Sequence, residues 1–171
     1  TCAESAAEVT RAVKAVTTKP VYIKLSPNVA DIVSIAKACE DAGADGLSLI
    51  NTLLGMRIDL KKRKPVIANV MGGFSGPAVF PVALRMVYQV ARAGKIPVIV
   101  GAVSIPVVGL GGILTGRDAL EFIMAGATAV QVGAQNLVDP YICPKIIEAL
   151  PGEMERLGIE RLHDIIGGAW K

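Results

Sequence analysis

Residues Val107 to Ala134 carry the pattern that restricts the fold most. Val-Val-Gly-Leu-Gly-Gly-Ile leads into a helical segment from Gly116 to Gly126, and Thr-Ala-Val-Gln-Val-Gly-Ala follows. The order is strand, glycine turn, helix, strand, glycine turn. Both apolar runs are short and rich in β-branched side chains, as suits strands covered on both faces. Each ends in glycine, where backbone has to approach a neighbour closely or take a positive φ. Glycine-rich exits on two adjacent parallel strands match the phosphate site formed by the last βα loops of many (β/α)8 barrels. Exposed backbone N–H groups and a helix N-terminus at such a place suit a dianion. A phosphorylated ligand is therefore expected at this end of the sheet.

The rest of the chain repeats the same alternation. Residues 4–17 place apolar side chains at helical spacing through Ala7, Val9, Ala12, Val13 and Val16, and Val21 to Leu25 then reads as a strand with Lys24 near its C-terminal end. Ser26-Pro27-Asn28 breaks that strand, a helix follows from about Asp31 to Ala42, and Gly43 stands where a helix C-terminal cap belongs. Gly46 to Ile50 is the next strand, with Asn51-Thr52 at its exit. These units are βαβ in pattern and should cross over right-handedly. Leu53 to Lys64 reads as a long irregular loop, of the kind that is usually functional or mobile. Val66 to Val70 reads as a short extra strand, and the glycine loop 72–77 opens a helix from about Ala78 to Ala93. A helix is expected after Pro140, then two short ones around Met154 and Leu162. Ile96-Pro-Val-Ile-Val-Gly is nearly repeated by Ile105-Pro-Val-Val-Gly with no room for a crossover helix between them. The second copy, with its Gly-Leu-Gly-Gly exit, is taken as the barrel strand, and residues 96–104 as an insertion.

Composition narrows the classes of function. The 171 residues suffice for one domain with a real core, but fall short of the roughly 250 of a full (β/α)8 barrel. Hydrophobic residues reach 52% and aromatics only 4%, an aliphatic balance that fits parallel α/β folds and opposes disorder. A net charge of +3, with one basic run at Lys61-Lys62-Arg63-Lys64 and no interleaved aromatics, argues against nucleic-acid binding. Cysteines at 2, 39 and 143 have neither disulfide-like nor metal-like spacing, which fits a reduced, cytoplasmic setting and gives no metal site. The longest apolar region, Ile96 to Ile113, is interrupted by prolines and glycines, so no membrane span is expected. The lone histidine, His163, reads as a surface residue, Cys39 as helix packing, and Trp170 as part of a disordered tail. Cys143, beside Pro144 at a helix start, reads as packing or as an activated thiol.

Lys24-Leu25-Ser26-Pro27-Asn28, Ile50-Asn51-Thr52, Gly72-Gly73-Phe74-Ser75-Gly76-Pro77, Gly109-Leu110-Gly111-Gly112 and Gly133-Ala134 together resemble the dihydroorotate dehydrogenases, class 1B most closely. The resemblance runs from Ala7 to about Ile166, with the motifs in family order. It implies an α/β chain supplying roughly the C-terminal half, as one domain, of a (β/α)8 TIM barrel with FMN at its C-terminal face. It implies oxidation of dihydroorotate to orotate in pyrimidine biosynthesis. By that resemblance Lys24 lies beside the flavin N1/O2 edge, Ile50 touches the flavin, and Gly76 lines its site. Gly111, Gly112, Gly133 and Ala134 cradle the phosphate, while Asn51 and Thr52 hydrogen-bond the substrate. Many members carry threonine where Ala134 stands, which leaves only backbone donors there. The family's base is a cysteine on a loop expected upstream of Thr1, so these residues alone are expected to be inactive; Cys2 lacks that loop's Ser-Cys-Pro-Asn context. FAD and a 2Fe–2S cluster would sit on a separate electron-transfer subunit linked to NAD, and a homo-oligomer is expected.

From residues alone, other readings stay open. Lys24 can serve as a surface lysine or salt-bridge partner, Asn51-Thr52 can cap a turn, and the glycines can be plain turns. Another phosphate-binding barrel enzyme, or a non-catalytic half-barrel module, would share the glycine loops.

Overall fold

The structure, a computed structural model, describes residues 2–92 and 103–170. Its strands, in chain order, are β1 (Tyr22–Leu25), β2 (Gly46–Leu49), β3 (Leu53–Gly55), β4 (Ile58–Asp59), β5 (Lys64–Pro65), β6 (Gly72–Phe74), β7 (Val107–Leu110) and β8 (Ala129–Gln131). Four of them form one parallel sheet in the order β1-β2-β7-β8. Helices alternate with these four: α1 (Ala3–Lys14), α2 (Ile32–Asp41), α3 (Phe80–Arg92), α4 (Gly116–Met124) and α5 (Ile142–Leu157). Parallel strands in consecutive spatial order, each followed by a helix, are consistent with part of a (β/α)8 barrel.

The two faces of the sheet differ. Leu25, Leu47, Leu49 and Val107 are buried together with Ile35, Ala36 and Cys39 of α2, Ala83, Val87 and Val90 of α3, and Phe122 of α4. Gly109 sits opposite Phe122, and a Cβ there would collide with the ring, so glycine lets α4 approach the sheet. Phe122 also meets Phe80 edge-on, with ring centroids 5.4 Å apart and an interplanar angle of 83°. Tyr22, Lys24, Ala129 and Gln131 are exposed, and Ser48 Oγ lies 3.3 Å from Gln131 Oε1 across the strands. One face is packed and the other open, as expected of a barrel segment whose inner face awaits the remaining strands.

Local chemistry fixes most boundaries. Asp31 caps α2, its carboxylate accepting from the N–H groups of Val33 and Ser34 at 2.9 and 3.1 Å. Gly43 follows α2 at φ +94°, as its place in the sequence suggests. Thr115 and Asp118 form a reciprocal capping box on α4. Glu40, near the end of α2, accepts from the N–H and hydroxyl of Ser104 at 2.5 and 2.7 Å, which fastens the chain just ahead of β7.

Several expectations need correction. The stretch from Leu53 to Lys64 is not irregular: β3 pairs antiparallel with β6, and β4 with β5. Val66 to Val70 forms no strand, and the 72–77 glycine segment begins as β6 instead of a free loop. Strands of two or three residues are too short to leave a period-2 signal. On α1 the buried positions are Ala7 and Thr10, whereas Val9 and Val13 are exposed, because α1 packs on its neighbours through its small residues. Met154 lies within α5, which continues past Pro151 to Leu157; a proline removes one helix bond but need not end a helix whose remaining turns are held. Trp170 is not a free tail: its indole packs over Gly126 and Gly167, where side chains would collide with it. The first copy of the repeated strand lies outside the described residues, as does all of the 96–104 segment except Val103, which is buried, and Ser104.

Candidate active site

The parallel register sets the strand exits at one level. Lys24 pairs with Ser48, Leu49 with Gly109, and Leu110 with Gln131. Beyond the strands, Asn51 N–H donates to Leu25 O at 2.9 Å and Ile50 N–H to Leu110 O at 3.0 Å, so the ladder continues into the exit loops. These bonds hold the loops after β1, β2 and β7 side by side around one cleft.

That cleft is a cavity of about 260 Å3 lined by Lys24, Ile50, Asn51, Thr52, Gly76, Gly111, Gly112, Gly133 and Ala134, the nine residues to which the resemblance gives a cofactor or substrate role. It lies just under the roughly 300–1,000 Å3 usual for small-molecule sites and has an open side. Phe74, Ser75, Val79, Leu110 and Leu137 complete the lining, and none of these five is given a role by the resemblance. Ser75 was within reach, since it lies inside the 72–77 glycine motif. Phe74 was too, in the same motif, whereas Val79 and Leu137 were not: they arrive through the single turns before α3 and after β8. Among the described residues, Lys24 is the sole charged side chain in the lining, so the field in the cleft favours an anion.

The glycines fall into two kinds. At Gly76 and Gly133 an added Cβ would meet no atom within 4 Å, so both border open space. Gly112 has φ +74°, and a Cβ there would stand 2.9 Å from Gly76 O and from Phe80 N and Cβ. Backbone from the β7 exit is thus pressed against the start of the α3 region, and glycine is required for contact between the two loops. Ahead of α4, Asp118 accepts from the N–H groups of Leu114 and Thr115, both at 2.8 Å. A carboxylate already occupies those donors. Behind the β8 exit, Asn136 Nδ2 donates to Val132 O at 2.6 Å, and Cys143 Sγ lies 3.6 Å from Asn136 Oδ1, which places this thiol under the Gly133 turn. Cys39 is buried, which raises its thiol pKa. His163 is exposed. The basic run 61–64 is exposed in the β4–β5 turn.

The family model described as Dihydroorotate dehydrogenase matches residues 1–154. The chain belongs to the dihydroorotate dehydrogenase family. It is 59% identical over 171 residues to a dihydroorotate dehydrogenase B (NAD(+)) catalytic subunit from Halalkalibacterium halodurans, covering 100% of this chain and 53% of that protein. A subunit of the same name from Shouchella clausii is 56% identical over 170 residues, covering 99% of this chain and 53% of the relative. One from Geobacillus kaustophilus is 56% identical over 171 residues, covering 100% and 52%. The chain therefore spans about half the length of the curated relatives it matches. Among the described residues, no helix is long and apolar enough to cross a membrane.

Proposed function

We propose that these residues form part of the cofactor and substrate face of an FMN-dependent dihydroorotate dehydrogenase, which oxidises dihydroorotate to orotate in pyrimidine biosynthesis. The observation that carries this reading is the convergence of Lys24, Ile50, Asn51, Thr52, Gly76, Gly111, Gly112, Gly133 and Ala134 on one cleft at the strand exits. The cleft suits FMN: the Lys24 cation lies among apolar, hydroxyl and amide groups, and two glycines border open space where side chains would intrude.

In this reading Lys24 serves the ring edge, where a cation favours negative charge, and Ile50 provides an apolar surface for the ring. Gly111, Gly112, Gly133 and Ala134 offer peptide groups to the phosphate, without a side-chain hydroxyl at Ala134. Asn51 and Thr52 present an amide and a hydroxyl to the substrate's polar edge. When bound, FMN supplies a two-electron acceptor. The base that takes the substrate's C5 proton is proposed to lie outside these residues, so residues 1–171 alone are expected to be inactive. NAD would receive the electrons through a separate subunit carrying FAD and a 2Fe–2S cluster, in a homo-oligomeric, cytoplasmic assembly. Anaerobic mixing of the full-length catalytic subunit with dihydroorotate tests the reading. Loss of the oxidised flavin absorbance is expected, and a protein that purifies without flavin and takes none up would overturn it.

A further inference from the structure

Asn28 has no assigned role, yet its carboxamide brackets the segment that carries Asn51 and Thr52. Its Nδ2 donates to Thr52 O at 3.0 Å, and its Oδ1 accepts from Leu54 N–H at 2.8 Å. One side-chain amide thereby satisfies the carbonyl of one residue and the N–H two residues later, as a paired strand would. The carboxamide is itself anchored: Ser26 Oγ accepts from Asn28 N–H at 3.2 Å and from Nδ2 at 3.3 Å. Thr52 is held from the other side by β6, where a Cβ on Gly73 would meet Thr52 Oγ1 at 2.5 Å. Asn51 Oδ1 accepts from Thr52 N–H at 2.8 Å, so the Asn51 side chain is tied to the same short stretch.

We propose that Asn28 is a positioning residue, fixing the Thr52–Leu54 backbone so that Asn51 and Thr52 present their polar groups to the substrate. The reason is geometric. Asn51 N–H makes a ladder bond to Leu25 O beyond the end of β2, and the two bonds from Asn28 tie the backbone that follows, Thr52 to Leu54, to the β1 exit. Lys24 and Asn28 belong to the same exit, so this bracket sets the distance between the cofactor-side cation and the substrate-side amide. Asparagine is required because one group has to donate and the other accept. Aspartate keeps the acceptor for Leu54 and places a negative oxygen against Thr52 O; alanine loses both bonds.

This inference rests on the proposed function, and a double-mutant cycle in the full-length FMN-loaded subunit separates the two. Orotate binding is measured by calorimetry for wild type, Asn28→Ala, Asn51→Ala and the pair. Loss of the two bonds should weaken orotate about 5- to 10-fold in the wild-type background, with flavin content unchanged. In the Asn51→Ala background the same change should have much less effect, because the residues act through one segment. Hydrogen exchange at the Leu54 amide should quicken in Asn28→Ala but not in Asn28→Asp, a readout that a general loss of stability would not produce. Equal effects of Asn28→Ala in both backgrounds, or unaltered orotate affinity, would overturn the inference. If Asn28→Ala does not fold, Asn28→Asp takes its place in the cycle, where weaker orotate binding that depends on Asn51 supports the inference and its absence overturns it. Wild-type protein that binds no orotate would instead sink the proposed function itself.

Discussion

Gly112→Ala probes the junction on which the cleft depends. At φ +74° an alanine costs about 1–2 kcal/mol in backbone strain alone. Its Cβ would lie 2.9 Å from Gly76 O and from Phe80 N and Cβ, and two of these atoms are backbone that cannot rotate away. Forced overpacking adds about 1–3 kcal/mol. The total is about 2–5 kcal/mol, relieved only by moving the β7 exit away from the Gly76–Phe80 segment. Gly133→Ala is the control, since its φ is −105° and no atom lies within 4 Å of the new methyl. It should change folding stability by less than about 0.5 kcal/mol. The assay is urea unfolding of each full-length variant, paired with FMN stoichiometry from absorbance. Gly112→Ala should lower both stability and FMN retention, while Gly133→Ala should affect only retention. Equal stability of Gly112→Ala and wild type would refute the claim that this glycine joins two loops by close backbone contact.

Packing and charge elsewhere lead to three more expected outcomes. Phe122→Ala removes a fully buried ring between the sheet and Phe80 and should destabilise by about 3–5 kcal/mol in denaturant titration. Burial pushes the Glu40 carboxyl up, but hydrogen bonds from Ser104 and Lys37 outweigh it, and the net pKa falls below the ordinary carboxylate range. The stability from Glu40 is therefore complete above the unfolded pKa of roughly 4.3 and is lost as pH drops through the lower folded value. Glu40→Gln should be less stable than wild type at pH 7 and converge with it under acid; a pH-independent gap in urea titrations would contradict this. Lys24→Met should lower the two-electron potential of bound FMN by roughly 30–90 mV, the loss of a few kcal/mol of charge stabilisation at the ring. Spectroelectrochemistry showing an unchanged potential would remove Lys24 from the ring edge.

The long-period features were legible because they leave strong patterns. The β-branched runs at 107–110 and 129–132, with a helix between them, announced parallel strands, and Asp31 and Gly43 marked the ends of α2. The cleft was legible through motifs at strand exits, where parallel topology has to bring them together. The β3–β6 and β4–β5 pairs were not, since two or three residues cannot show alternation. Val9 and Val13 misled because hydrophobicity ranks valine above alanine, whereas close helix packing selects Ala7 and Thr10. The capping of α4 could have been read, since Thr115-Gly116-Arg117-Asp118 has capping-box spacing. Asn28 appeared as part of a motif, but its link to Thr52 and Leu54 spans 24 and 26 residues and needs the fold to be seen.

The most direct test is a crystal structure of the full-length, FMN-loaded protein. The flavin ring is predicted at Lys24 and Ile50, with its phosphate against Gly111, Gly112, Gly133 and Ala134. A cofactor whose phosphate lies away from the β7 and β8 exits, or whose ring lies beyond reach of Lys24, would contradict a single shared site at these strand ends.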